Sequence, residues 1–94
     1  MTLLLKDPEA ALDYSIDWGA EYLAPGDLIA QSDWSVVPDE ADGVAVIGSD
    51  FDATSSTVKA AGGTAGKLYK LVNRVTLESG LSDERSIVLR VEKR

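Results

Sequence analysis

The sequence predicts an all-β protein, an immunoglobulin-like antiparallel β-sandwich of about seven strands, and three observations carry that prediction. Apolar residues recur with period two in several short segments, which is what strands with one buried face require. Gly, Pro, Asp and Ser punctuate those segments at short intervals. No window of ten or more residues carries an apolar stripe of helical period with caps at both ends.

Residues 1–8 read as an extended N-terminal arm and residues 9–94 as the sandwich domain. Thr2, Leu3, Leu4 and Leu5 put three consecutive leucines outside the alternating pattern. Such an arm can add to a neighbour's sheet through backbone hydrogen bonds; the competing reading makes it the first strand of the domain's own sandwich. Asp7-Pro8-Glu9-Ala10-Ala11 opens like a helix cap but is too short to persist beyond a single turn. From Leu12 the alternation is strict. Leu12, Tyr14, Ile16 and Trp18 share one face, and Asp13, Ser15 and Asp17 form the wet side.

Pro25-Gly26 supplies a turn into a second strand, Asp27 to Val37, with Leu28 in step with Trp34 and Val36. In the third, Gly43 to Phe51, Val44 and Val46 share a face but Ile47, Gly48 and Phe51 break phase, which predicts a bulge. Thr54 to Ala61 is rich in Ser and Thr around Val58 and reads as an edge strand. The glycines of Ala61 to Gly66 predict a tight loop with positive φ before the next strand. There Tyr69, Leu71, Val75 and Leu77 lie in phase, Asn73 falls on their apolar face, and Lys70, Val72, Arg74 and Thr76 lie opposite. Glu78-Ser79-Gly80 turns the chain into the last strand, with Ile87, Leu89 and Val91 inward and Ser86, Val88, Arg90 and Glu92 outward, so these two strands should form a hairpin.

Composition narrows the function. Ninety-four residues make a single domain with one modest core and little room for a deep cleft. At 45% apolar residues and no run approaching a membrane span, a soluble globular protein is expected. Met1 to Leu5 is followed at once by Lys6-Asp7-Pro8, with no signal-peptide pattern. Nine basic against sixteen acidic residues give a net charge of −7, which disfavours nucleic acid. The chain holds no cysteine and no histidine, so thiolate nucleophiles, disulfides, Cys-ligated zinc and the commonest general base are all absent.

Candidate sites are few. Gly62-Gly63-Thr64-Ala65-Gly66 lacks the Lys-Ser or Lys-Thr and the helix of a phosphate loop. Asp13, Asp17, Asp39, Asp42, Asp50 and Asp52 match no calcium-loop spacing and read as solvated carboxylates. Paired-carboxylate sugar chemistry needs a cleft that so small a domain lacks. No catalytic, cofactor or metal residue is therefore assigned, and no small-molecule substrate. Trp18 and Trp34 read as core, and Tyr69 sits where sandwich domains often tie a corner to nearby backbone through a tyrosine hydroxyl. Asp83, Glu84 and Arg85 form the sharpest polar cluster, with Arg85 able to fork onto a carboxylate of its own chain or of a partner.

Three stretches, "LKDPEAALDYSIDW", "LIAQSDWSV" and "AGGTAGKLYKLVNRVTLESGLSDERSIVLRVEK", together resemble a family of small tailed-bacteriophage and prophage virion proteins, the fiber-tail adaptor or neck-region structural proteins. The most specific positions are Gly63-Thr64-Ala65-Gly66, Tyr69, Asn73, Val75-Thr76, Gly80 and Asp83-Glu84-Arg85-Ser86. The resemblance implies a non-enzymatic virion component, assembled in the host cytoplasm, present in several copies and bound to tail, portal or fiber subunits in a symmetric assembly. Its rivals are a capsid decoration protein, distinguished by copy number, and a carbohydrate- or calcium-dependent adhesion module. On this reading the partner-binding residues are Thr2, Leu3, Leu4, Leu5, Asp83, Glu84 and Arg85.

Overall fold

Period-two alternation becomes seven strands: β1 (Thr2–Lys6), β2 (Ala11–Asp17), β3 (Ile29–Val37), β4 (Val44–Phe51), β5 (Ser55–Gly62), β6 (Leu68–Leu77) and β7 (Ser82–Val91). A four-residue helix, α1 (Trp18–Glu21), follows β2. The computed structural model describes residues 2–21 and 23–93, the side chains of Thr2 and Glu21 excepted; Met1, the first residue of the expected arm, lies outside them.

The strands make a four-stranded sheet in the order β1-β7-β6-β3 and a three-stranded sheet in the order β2-β5-β4. The pairs are antiparallel save β1 with β7, which run parallel. The inward rows of the two sheets form one core. Tyr69, Leu71, Val75, Leu77, Ile87, Leu89 and Val91 come from the first, and Tyr14, Ile16, Val44, Val58 and Ala60 from the second. Each large apolar side chain so buried contributes about 1.5–3 kcal/mol. The expected all-β sandwich of about seven strands is therefore the architecture found, as is the hairpin of β6 and β7.

Four details differ from the expectation or refine it. Thr54 to Ala61 was expected at an edge, but β5 is the centre of its sheet, paired with β2 and β4. Its inward Ser56 is bonded across the core, and its outward Thr57 lies on a solvated face, so the polarity reflects partners rather than an edge. In β3 the buried residue is Ile29, with Leu28 only half-buried, because a register shift between Ile29 and Gln31 changes the phase that Trp34 and Val36 follow. The bulge expected in the third strand is a register shift between Val46 and Gly48. Trp18 keeps its burial but opens α1 instead of extending β2.

The stretch expected as an arm is extended over Thr2–Lys6 but not detached, since β1 lies in register with β7 from Thr2–Ile87 to Lys6–Val91. Asp7 then starts the single turn: its backbone oxygen accepts from Ala10 N–H at 3.1 Å and its Oδ1 from Glu9 N–H at 2.8 Å.

Candidate functional site

Surface chemistry depends here on what holds the two sheets in place. Asn73, the one polar residue of the inward row of β6, is fully buried. Its Oδ1 accepts Trp18 Nε1–H at 2.8 Å, and its Nδ2 donates to Ser32 Oγ at 2.9 Å and to the Asp33 carbonyl at 3.0 Å. Ser32 Oγ lies 2.6 Å from Ser56 Oγ, which also accepts Trp34 Nε1–H at 2.8 Å. Both indoles, the serines and the amide thus form one chain of hydrogen bonds from α1 through the four-stranded sheet to β5. A polar network of this kind is stabilising because every member is paired, and it fixes one registration of sheet on sheet.

The opposite end is tied by Tyr69, whose hydroxyl accepts Thr64 N–H at 3.0 Å and donates to Glu40 Oε1 at 2.9 Å. The tyrosine read as a corner tie from sequence does bind backbone five residues upstream. Glu40 also takes Lys67 Nζ at 3.2 Å, and these donors hold its carboxyl below the usual carboxylate range. The glycines of the preceding loop adopt positive φ, at 78° for Gly62, 112° for Gly63 and 87° for Gly66.

On this scaffold the predicted partner-binding residues fall in two separate places. Leu3 and Leu5 point outward from β1 with 59% and 48% exposure, while Leu4 faces inward and packs against the core. Of Thr2 the structure describes the backbone, opposite Ile87. Lys6, the last residue of β1, is buried; its Nζ donates to the Gly62 carbonyl at 2.6 Å and to the Asp7 carbonyl at 2.9 Å. Burial lowers its pKa against the opposing effect of Asp7. Asp83, Glu84 and Arg85 lie exposed at the start of β7. Glu84 Oε1 stands 3.8 Å from Arg74 NH1 across the ladder, Asp83 Oδ1 accepts Glu84 N–H at 2.7 Å, and Arg85 is not a free cation.

Register reveals what sequence reasoning left out. On the outer face of the four-stranded sheet, Leu3 stands beside Val88, Val88 beside Lys70 and Lys70 beside Val37; in the next row Leu5 and Leu68 flank Arg90. Leu68 and Val37 are 57% and 53% exposed. Apolar side chains therefore occur on every strand of this face, with Lys70 and Arg90 set among them. The signal was present in Val72 and Val88, apolar residues at solvent-phase positions, but their joining to Leu3 and Leu5 depends on the parallel pairing of β1 with β7.

The outer face of the other sheet is different in kind. Asp13, Asp50, Thr57 and Lys59 surround a hollow of about 280 Å³ over Gly48, where no side chain fills the bulge. Among the described residues, no group of three or more His, Cys, Asp or Glu is placed to hold a metal ion, and no helix is long and apolar enough to cross a membrane.

A family model described as podophage GP4 fiber-tail adaptor protein gp77 matches residues 6–90. No curated protein matches the chain.

Proposed function

The chain belongs to the family of podophage GP4 fiber-tail adaptor proteins, and from that premise we propose that it is a non-enzymatic structural component of the virion, attaching fibers or tail components at the tail or neck. The observation that carries this reading is the exposed pair Leu3 and Leu5 on β1, which share the outer face with exposed Leu68 and Val37 and with the cations Lys70 and Arg90. Exposed apolar side chains gathered on one face of a small domain point to a contact with another macromolecule. An adaptor needs two such contacts. Of Thr2, Leu3, Leu4 and Leu5, the exposed Leu3 and Leu5 supply one, against a neighbouring virion subunit, and Asp83, Glu84 and Arg85 supply a second, polar one in which Arg85 can meet a partner carboxylate. The protein acts within a symmetric assembly built in the host cytoplasm, with no small-molecule substrate.

Substitution tests this better than truncation, because removing β1 would also remove Leu4 from the core and the Lys6 anchor. Leu3→Lys with Leu5→Lys, and separately Asp83→Lys with Glu84→Lys, change exposed side chains only. Each pair should leave the isolated domain folded and reduce its amount in purified particles, measured by quantitative gel densitometry. Normal incorporation of both pairs would refute the proposal. Wild-type copy number, about a dozen for an adaptor ring as against hundreds for a decoration protein, follows from the symmetric surface it coats.

A further inference from the structure

We infer that the outer edge of β1 pairs with the same edge of a second copy of this chain, antiparallel about Leu4, so that two four-stranded sheets join into one of eight strands. The inference rests on the reading of Thr2–Leu5 as a docking segment and identifies the neighbour. A sheet edge left with unpaired N–H and C=O groups is a template for another strand unless charges, bulges or prolines blunt it.

Four strands of this sandwich are edges: β1 and β3 in one sheet, β2 and β4 in the other. Three carry a blunting device. On β2, Asp13 and Asp17 stand on the solvent side; β3 has a register shift between Ile29 and Gln31, an exposed Asp33 and Pro38 at its end; β4 has a register shift between Val46 and Gly48. β1 has none. Its five residues are in unbroken register with β7, and its one charged side chain, Lys6, is turned inward and buried. None of the sixteen acidic residues that make the chain repel its own copies lies on this strand.

Two features turn an open edge into a self-complementary one. A five-residue edge strand paired on one side is weakly held by itself, but the Lys6 bond to Gly62, on a strand of the opposite sheet, anchors it. The edge is thus preformed. An antiparallel pair centred on Leu4 sets Leu3 opposite Leu5 of the second copy, and Leu5 opposite its Leu3, on the outer face. The two most exposed leucines of β1 then cover each other as aliphatic cross-strand pairs. The contact is isologous and closes on itself, so it yields a dimer and not a fibre. Two five-residue strands bury less than the ~1,000 Å² of a stable interface, so the isolated dimer is weak and forms only at high chain concentration. Copies held side by side on one particle would be favoured by their higher effective concentration.

Sedimentation velocity of the full chain from about 10 µM to about 1 mM reads this directly. Wild type should pass from monomer to dimer and no further. Leu3→Lys/Leu5→Lys and Leu3→Glu/Leu5→Glu should each remain monomeric with an unchanged melting temperature, because like charges then face across the pair. Mixed one to one, the two variants should recover the dimer, since every Lys meets a Glu. A monomeric wild type at the highest concentration overturns the inference, and so does a mixture that stays monomeric, a Lys variant that still dimerises, or growth beyond the dimer. Incorporation of the same variants into particles separates this from the docking reading: a monomeric wild type whose Lys variant is lost from particles leaves β1 docking on a different protein.

Discussion

Replacing Asn73 by alanine should remove about 3–5 kcal/mol of stability, and the estimate follows from the atoms it bonds. Asn73 is fully buried and makes three hydrogen bonds. Alanine leaves Trp18 Nε1–H without that acceptor in the core, at about 1–3 kcal/mol, and the loss of the two bonds to Ser32 and Asp33 adds about 1 kcal/mol, since part of it relaxes. The void left by the amide adds about 1 kcal/mol more. A chain of this length has roughly 5–14 kcal/mol in total, so Asn73→Ala should lower the urea midpoint, followed by circular dichroism, by about half. Trp18→Phe removes the N–H that Asn73 accepts, so the two changes share one interaction and the double variant should be less damaged than the sum of the singles by about 1–2 kcal/mol. A loss below about 1 kcal/mol for Asn73→Ala, or simple additivity in the double variant, would refute the view that this network is closed to water and cooperative.

Four further outcomes follow from the same structure. Tyr14 is buried and its hydroxyl has no hydrogen-bond partner among the described residues, so Tyr14→Phe should be neutral or raise stability by about 1 kcal/mol in urea unfolding. Gly63 has φ +112°, and a Cβ there would stand 2.7 Å from Val91 Cγ2, so Gly63→Ala should cost about 2–4 kcal/mol and lower the melting temperature. Glu40 is held below its ordinary range by Tyr69 and Lys67, and Asp52 by the N–H groups of Thr54 and Ser55. A carboxyl with a lower pKa folded than unfolded stabilises fully above its ordinary range and loses that as pH falls through the folded value, so a Glu40→Gln/Asp52→Asn variant should show a flatter melting profile below about pH 4. Glu84→Gln breaks an ion pair between exposed partners 3.8 Å apart, and equilibrium unfolding should change by less than about 0.5 kcal/mol.

Much of the fold was legible because alternation survives wherever a strand has one dry face. Tyr69, Leu71, Val75 and Leu77 were in phase on paper and are inward in space. The bulge near Gly48 announced itself because apolar residues straddle it and change phase. That at Ala30 did not, since Leu28 and Ile29 are both apolar and either fits. β5 was misplaced because Ser and Thr were weighed as solvated groups; Ser56 finds its partners in Ser32 and Trp34, 24 and 22 residues away. Asn73 was visible as an anomaly on an apolar face, but Trp18 lies 55 residues distant and sequence spacing cannot reach it. The candidate surface was half legible. Leu3, Leu4 and Leu5 stood out, yet which of them is exposed, and which edge of β1 is open, are consequences of pairing with β7.

The positions on which the family resemblance rests divide cleanly once the structure is known. Gly63 admits no side chain, Tyr69 ties Thr64 to Glu40, and Asn73 bonds three partners in the core. These account for themselves as fold, and likeness at them implies a shared architecture and nothing about partners. Asp83 and Glu84 are otherwise placed: exposed, bonded to each other locally and across the ladder to an exposed arginine. Interactions of that kind contribute little to stability, so exchanging Asp83 and Glu84 should leave the fold intact. The substitutions that test the proposed adaptor role without disturbing the fold are therefore those at the exposed Asp83, Glu84, Leu3 and Leu5, whereas changes at Tyr69 or Asn73 would report on architecture first.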